Sequence, residues 1–571
     1  MGIRIAPIVS KIKHGLLPVG SDDETSSLRG WTIVACVFLC LALFLHFWTH
    51  MRPANETIRL YFTQSLVDHG TPSIDPVLED LYPGYKESPA YQAKRWHPNI
   101  DASHYDGRDY MDKAPGLSLL VAPVYGLTSS LGLDGLRDDW ILVSHLLLLF
   151  GVALPAVLGM LAIRRSVLTL GGSPRGAWLG AIAVMLATPY TLYGTLFFGH
   201  TLAAALAAHS LLFALKKRPG WSGAMAGAMV LVDTPTALLA VFLGLGLGHV
   251  TKRIKDVVHF ALAGSPFVLL QLGYNTWLFG DPLTFAYAHK VNAQFAGIID
   301  EGVYGFGLPT LEALWGLTLG AQRGLFFHAP VLLLGCVGLI QARDQERIRP
   351  WIPVIGLSLV AYLLWIAAFA DWRAGDSYSP RHLIPLIPFV GVGLGLLLSR
   401  QLSPRSSQLL RWLFPGLLAC SLLGTWAPII TFPYAPVAFD APLFELSLPM
   451  LLSGQIGESV VSGMGGSHVL TILALCLLIG SAFGLVGPPK SVRAMCAAIG
   501  RGLAVGLLVT GFALSTLELP SQEAERERVN VACWLDDCRI AETLCNESQG
   551  TFKEQGKQCQ CSWIKRPTRP R

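Results

Sequence analysis

Residues 105–133 read YDGRDYMDKAPGLSLLVAPVYGLTSSLGL. The first half is charged and aromatic. The second half, from Pro115, is an apolar run long enough to cross a bilayer. Whether it crosses decides how every later segment faces. If it crossed, the basic pair Arg164-Arg165 would fall outside, against the preference of short basic loops for the cytoplasm. The run is therefore read as a helix lying at, or re-entering, the outer surface. Pro115 suits its first turn, and Asp106-Gly107 is a tight-turn pair. Asp112 and Lys113 then stand where the surface helix begins.

The rest of the chain fits that frame. Its 571 residues are 52% hydrophobic and only 14% charged, with mean hydropathy +0.48. A soluble domain carries roughly 25% charged residues. Apolar runs recur near 31–49, 140–163, 177–193, 198–215, 221–233, 235–250 and 257–279. Others follow near 325–342, 351–370, 382–400, 412–431, 467–487 and 497–517. The expected fold is an all-α polytopic membrane protein with about thirteen transmembrane helices. The first run comes after a leader carrying Arg4, Lys11, Lys13 and Arg29, and lacks the short core and cleavage site of a signal peptide. It reads as a retained anchor with the N-terminus in the cytoplasm.

Three regions result: a cytoplasmic leader over 1–30, a transmembrane domain over 31–517, and an outer tail over 518–571. Long polar segments all face outward: about 50–115, 280–324, 371–381, 432–466 and the tail. The net charge of +5 is scattered over short loops and is not a nucleic-acid footprint. No Walker loop, dinucleotide fingerprint or zinc-protease helix motif is present.

Several polar residues stand out. Ile58, Phe62 and Leu66 recur at helical spacing, so 56–69 reads as a juxtamembrane helix with an apolar face on the membrane. Glu56 and Arg59 share a face of it. Asp112 can take a proton from a hydroxyl; its bland alternative is a solvated pair with Lys113. Arg381, in Asp371-Trp-Arg-Ala-Gly-Asp376-Ser-Tyr-Ser-Pro-Arg381-His382, suits phosphate, or else snorkels at a helix end. Asp233 sits at a hairpin turn within the membrane, broken by Pro235, which makes it a functional suspect. Lys290 and Arg323 read first as ordinary charges of the loop 280–324, and His200 as a structural histidine.

The run Asn55-Glu56…Arg59…Gly70…Asp106-Gly107-Arg108-Asp109-Tyr110-Met111-Asp112-Lys113-Ala114-Pro115 resembles the first outer loop of the GT-C membrane glycosyltransferases. The echo is of the lipid A aminoarabinose transferases and the protein O-mannosyltransferase group. Their pattern is an acidic pair, an Arg, a Gly at the helix end, then Gly-x-x-Tyr-x-(Glu/Asp)-Lys-x-Pro. The loop around Arg381 resembles a second element of that superfamily, and the span count resembles its thirteen-helix layout.

The resemblance implies transfer of a sugar from a polyprenyl-phosphate donor to an acceptor hydroxyl on the extracytoplasmic face of the inner or plasma membrane. The acceptor would be a glycan, lipid or protein, and no nucleic acid is involved. At the first position of the acidic pair the family commonly has Asp, and this chain has Asn55, which cannot act as a base. The implied catalytic groups are then Asp112, with Glu56 assisting. The implied substrate-binding groups are Arg59, Lys113, Arg381, Tyr110, Asp376, Asp233, Lys290 and His200. A divalent cation, Mg2+ or Mn2+, is left open. Two other readings stand beside the transferase: a flippase for a lipid-linked sugar, and an inactive scaffold.

The tail carries Cys533, Cys538, Cys545, Cys559 and Cys561. No His accompanies them, so one or two disulfides in a small cap are expected rather than zinc.

Overall fold

The structure is a computed structural model that describes residues 24–46, 53–92, 101–133, 135, 138–290, 297, 304–401, 403–457, 459–463, 468–486, 521–534, 538–548, 550–555 and 558–562. It is mostly helical. The first helices are α1 (Glu24–Leu43), α2 (Ala54–Asp68), α3 (Gly116–Ser130) and α4 (Trp140–Thr169). Then come α5 (Pro174–Leu186), α6 (Gly199–Leu215), α7 (Pro219–Val232), α8 (Ala237–Thr251) and α9 (Ile254–Phe279). The second half holds α10 (Val331–Ala342), α11 (Ile352–Ala367), α12 (Ile387–Ser399), α13 (Pro404–Ile430) and α14 (His468–Val486).

Among the described residues seven helices are long and apolar enough to cross a membrane, and the chain is an integral membrane protein. Twelve of the expected spans coincide with helices, of which α1, α5, α6, α7 and α10 have apolar stretches shorter than a full crossing. The expected span at 497–517 and the leader over 1–23 lie outside the described residues. The run from Pro115 forms α3, which packs on α2 and the start of α4.

One expectation changes. The chain is not wholly helical, because two antiparallel hairpins are present. Strand β1 (Ala102–Tyr105) pairs with β2 (Arg108–Met111), and β3 (Thr551–Gln555) with β4 (Gln558–Ser562). The first turns at Asp106-Gly107, both at positive φ (49° and 74°). That is the geometry whose twist matches paired strands. The second lies in the tail, beside the helices Gln522–Trp534 and Cys538–Glu547. Among the described residues one disulfide, Cys545–Cys561, ties the latter helix to β4.

Within lipid, helices meet closely where small residues let backbones approach. Helix α7 carries Gly223-x-x-x-Gly227 and lies along α9. A Cβ at Gly223 would stand 1.9 Å from the Phe260 carbonyl oxygen, and one at Gly227 would stand 2.5 Å from that of Gly264. The backbones are in contact, so no side chain can yield. Gly227→Val is expected to lower the detergent thermal midpoint by several degrees, the consequence of about 1–3 kcal/mol of overpacking. An unchanged midpoint would show that this crossing adds nothing to stability. The crossing also positions Asp233, because α7 ends there.

Candidate active site

The β1–β2 register brings two carboxylates together. Met111 faces Ala102 across the ladder, and the next residues outward are Asp112 and Asp101. The Asp112 amide donates to the Asp101 carbonyl oxygen at 3.4 Å. Lys113 Nζ lies 3.3 Å from Asp101 Oδ2 and 3.2 Å from Asp112 Oδ1. Lys290 Nζ lies 3.2 Å from Asp112 Oδ2. Lys290 reaches this place because its segment runs beside β1: Ser103 Oγ donates to the Ala286 carbonyl at 2.6 Å, and Ser103 bridges Lys290. Both ammonium groups also stand over the Tyr287 ring, at 5.9 and 5.0 Å.

Burial opposes the Lys113 charge, yet Asp101 and Asp112 hold its pKa above the usual lysine range. Burial likewise works to raise the Asp101 carboxyl, but the Lys113 ammonium, with Lys290 and Arg381 beyond, holds it below the usual range.

Two cavities meet around Lys113. One is small, about 60 Å3, and polar. Asn55, Arg59, Lys113, His200, Asp233 and Arg381 line it, with Tyr287 and His382. The other is about 530 Å3 and largely apolar, with Leu238, Val241, Phe285, Phe306, Trp365 and Phe369 in its wall. Its polar margin includes Asp101, Lys290 and Asp371. Lys113, Thr234, Pro235, Tyr287, Arg381 and His382 belong to both. The larger volume falls in the range of small-molecule sites.

Two guanidinium groups reach the polar pocket without a carboxylate in ion-pair distance, among the described residues. Arg59 is buried and donates from Nε to Asn55 Oδ1 at 3.4 Å and from Nη1 to the Ala114 carbonyl at 3.3 Å. Arg381 lies with its guanidinium 5.4 Å from the Phe198 ring, and its buried Nε has no hydrogen-bond partner among the described residues.

His200 and Asp233 come from α6 and the end of α7. Nδ1 of His200 lies 2.9 Å from Asp233 Oδ2. The two helix ends approach closely at Gly199, where a Cβ would stand 3.0 Å from the Val232 carbonyl oxygen. The Asp233 backbone is pinned as well. Its amide donates to the Met229 carbonyl, and its carbonyl accepts from the Thr236 amide at 2.9 Å and from Thr236 Oγ1 at 2.6 Å.

The residues expected from sequence thus divide. Arg59, Lys113, Arg381, Asp233 and His200 converge on the polar pocket, and Lys290 lies beside it in the larger cavity. Asp112 and Glu56 line neither cavity: the Asp112 side chain is wholly buried behind two lysines, and Glu56 is sealed. Tyr110 is buried on β2, near Phe279, and Asp376 is exposed on its loop. Neither reaches a cavity wall.

Arg323 is no ordinary loop charge. It is fully buried and donates to the carbonyls of Arg373 (3.0 Å), Gly375 (3.0 Å), Ala435 (3.1 Å) and Gln322 (3.2 Å). It fastens the loop that ends in Arg381 to the segment after α13. Tyr287 carries no local signal that marks it as a site residue in the sequence; Asp101 emerges only from the hairpin register, and Asp371 and His382 only as the ends of the run that holds Arg381.

Helix α2 also departs from expectation. Ile58 and Phe62 are buried in protein, and so are Asn55, Thr57, Thr63 and Ser65 on its other sides. It is an internal helix, not one resting an apolar face on lipid. Glu56 explains part of that. Its Oε1 accepts from the Phe197 amide at 2.6 Å and its Oε2 from the Tyr434 hydroxyl. Burial, the largest influence, pushes its carboxyl up to about 7, against the opposing pull of those two donors and Arg59.

This raised value makes stability fall with pH. Below the unfolded value near 4.5 Glu56 is protonated in both states and costs nothing. As pH rises through 4.5 to about 7 the unfolded chain ionises first, so stability falls, by on the order of 3 kcal/mol in total. Glu56→Gln stays neutral and can keep both partners. Its thermal midpoint is expected to be flatter than the wild type's between pH 5 and 7.5, and higher at pH 8. Parallel curves would remove Glu56 as the cause.

Two acidic residues of the first long polar loop, Asp75 and Asp109, are engaged by protein donors. Asp75 Oδ1 accepts from the Tyr85 hydroxyl and the Asp109 amide, while Oδ2 pairs with Lys86 at 2.8 Å. Asp109 accepts from Tyr85 and Tyr91 and meets His104 at 2.7 Å. Among the described residues no three ligating side chains gather for a cation.

No family model matches the chain, and no curated protein matches it. Among solved structures the chain is similar to crystal structures of ArnT from Cupriavidus metallidurans, one in the apo state and one bound to undecaprenyl phosphate. The identity is 16% in each, with TM-scores of 0.41 and 0.42. The likeness covers 85% and 86% of this chain and 77% and 78% of those chains.

Proposed function

We propose that this protein transfers a sugar from a polyprenyl-phosphate donor to an acceptor hydroxyl on the extracytoplasmic face of the membrane. One observation carries the reading. Arg59 and Arg381 face a small polar pocket with no carboxylate in ion-pair distance among the described residues, and that pocket adjoins an apolar cavity of about 530 Å3. Buried charge is ordinarily paired. An anion at the head of an apolar chain satisfies both cavities at once, and a lipid phosphate ester is such a ligand.

In this reading Arg59, Arg381 and Lys113 take the phosphate, Arg by its fork and Lys as a point charge. The first part of the isoprenoid lies against Phe306, Trp365 and Phe369. The acceptor oxygen forms a bond to the anomeric carbon as the bond to the phosphate oxygen breaks. The phosphate leaves with the electron pair, and the guanidinium and ammonium groups stabilise its growing charge. A donor already activated as a phosphate ester needs no nucleotide. Asp112 holds Lys113 and Lys290 in place, and the proton acceptor is sought elsewhere. The concentration of polar groups at one face favours this over a flippase, which needs charge along a crossing route.

Purified protein is expected to gain thermal stability on adding undecaprenyl monophosphate. Arg381→Ala should weaken that binding about ten- to a hundredfold, the worth of charged hydrogen bonds. A deletion strain should accumulate the untransferred lipid-linked sugar on the outer leaflet. Its confinement to the inner leaflet would overturn the transferase in favour of the flippase.

A further inference from the structure

Transfer to a hydroxyl needs a group to take its proton, and the polar pocket limits the choice. Asn55 lines it but cannot accept a proton. Glu56 and Asp112 are sealed away from it. Asp101 and Asp371 line only the larger cavity, and Asp101 is held by Lys113. The remaining proton acceptors in the pocket are His200, Asp233 and His382, with the tyrosine Tyr287.

Of these, His200 and Asp233 form a built pair. Their distance of 2.9 Å joins Nδ1 of the ring to a carboxylate oxygen. The carboxylate fixes the tautomer with the proton on Nδ1, which leaves Nε2 as the free acceptor. Among the described residues Nε2 has no hydrogen-bond partner, and His200 lines the pocket. Both residues are anchored by backbone. His200 sits in the first turn of α6, and Asp233 is pinned by the Met229 and Thr236 contacts. A nucleophile's base held by a third, orienting group is the general geometry of hydroxyl activation.

We propose that His200 is the catalytic base and Asp233 its positioning residue. The assignment rests on the transferase reading. The acceptor O–H gives its proton to His200 Nε2 while its oxygen bonds to the anomeric carbon. The bond from that carbon to the phosphate ester oxygen breaks, and polyprenyl phosphate leaves with the electron pair. The imidazolium, stabilised by Asp233, then returns its proton to the departing phosphate or to water. The pair Asn55-Glu56 is not required for this step.

The experiment uses the full-length protein in detergent, mixed with membrane vesicles of a deletion strain that hold both accumulated donor and acceptor. Consumption of the polyprenyl-phosphate sugar is followed by mass spectrometry. His200→Ala is expected to slow it about a hundredfold to ten-thousandfold. Thermal stabilisation by undecaprenyl monophosphate should persist in the same variant, which excludes misfolding and spares the phosphate site. Added imidazole should restore part of the His200→Ala rate, and Asp233→Asn should shift the acidic limb of the rate profile while leaving phosphate binding intact.

The groups facing His200 are Asp233, the His382 ring at 5.2 Å, the Tyr193 ring at 6.0 Å, and the guanidinium groups of Arg59 and Arg381. His382→Gln is therefore run in parallel, and an acidic limb that disappears there rather than in His200→Ala overturns the assignment. Undiminished consumption by His200→Ala overturns the dyad alone. Wild-type protein that binds undecaprenyl monophosphate but consumes no donor overturns the transferase reading, and the dyad with it.

Discussion

Lys113→Ala is expected to abolish transfer and to remove about 3–5 kcal/mol of stability. The side chain is 7% exposed and lies between two carboxylates. Without it Asp101 loses its ion pair, and Asp112 keeps only Lys290. Breaking a buried pair from one side leaves a poorly compensated charge, which costs more than the pair contributed. The same ammonium lines both cavities, so the phosphate of the proposed donor also loses a contact.

The pH dependence carries a sign. Asp101 titrates below its ordinary range in the folded protein, so its stabilisation is present above the unfolded carboxyl pKa and is lost as pH falls. Removing Lys113 should weaken that acid-side loss, since Lys290 and Arg381 still act on Asp101. Lys113→Arg keeps the charge and should recover stability before activity. The measurements are the thermal midpoint in detergent across pH and undecaprenyl monophosphate binding. A Lys113→Ala protein with wild-type values in both would sink the central role given to this residue.

Arg323→Ala is expected to cost on the order of 4 kcal/mol and to weaken lipid-phosphate binding without touching the ligand. Charged hydrogen bonds are worth about 1.5–3 kcal/mol each, and a stranded buried carbonyl costs about 1–3 kcal/mol. Arg323 serves three carbonyls on two other segments, at Arg373, Gly375 and Ala435. A lysine has one donor head and cannot span them, so Arg323→Lys should rescue little. The loop it fastens carries residues at positive φ, Ala374 and Ser379, before it delivers Arg381 to the pocket. Unfastened, that loop should relax and the Arg381 contact weaken. Unfolding by denaturant or heat, alongside undecaprenyl monophosphate binding, tests both parts. Full stability with Lys at 323 would show that charge, not the fork, is what counts.

Much of this is legible in the chain. The helices come from apolar runs, and α3 begins just after Pro115. Arg59, Lys113 and Arg381 are singled out by the resemblance, and Arg381 also by the fit of a guanidinium to phosphate. The hairpin is only half legible. Asp106-Gly107 reads as a turn, but its polar flanks look like loop, because neither strand alternates apolar and polar residues. Counting outward from a two-residue turn pairs Asp112 with Asp101, and so finds the carboxylate at the cavity's edge.

Burial cannot be read in the same way. A carboxylate in an outer loop suggests access to solvent. Whether Asp112 or Asp101 faces the ligand depends on Lys290, more than 170 residues along the chain. The fate of Glu56 depends on Tyr434, and that of Arg323 on Ala435. Such partners leave no local pattern.

The link between Glu56 and Tyr434 spans 378 residues and bears on synthesis. Helix α2 emerges among the first segments, yet the partner that seals it arrives only after α13 has been inserted. Contacts this distant form late, since the closure entropy precedes any reward. Through most of translation the layer around α2 stands unfinished, with the Glu56 carboxylate lacking its Tyr434 donor. A ribosome stalled before residue 434 would leave a nascent chain threaded through the membrane but without a closed outer face, and quality control should recognise that species.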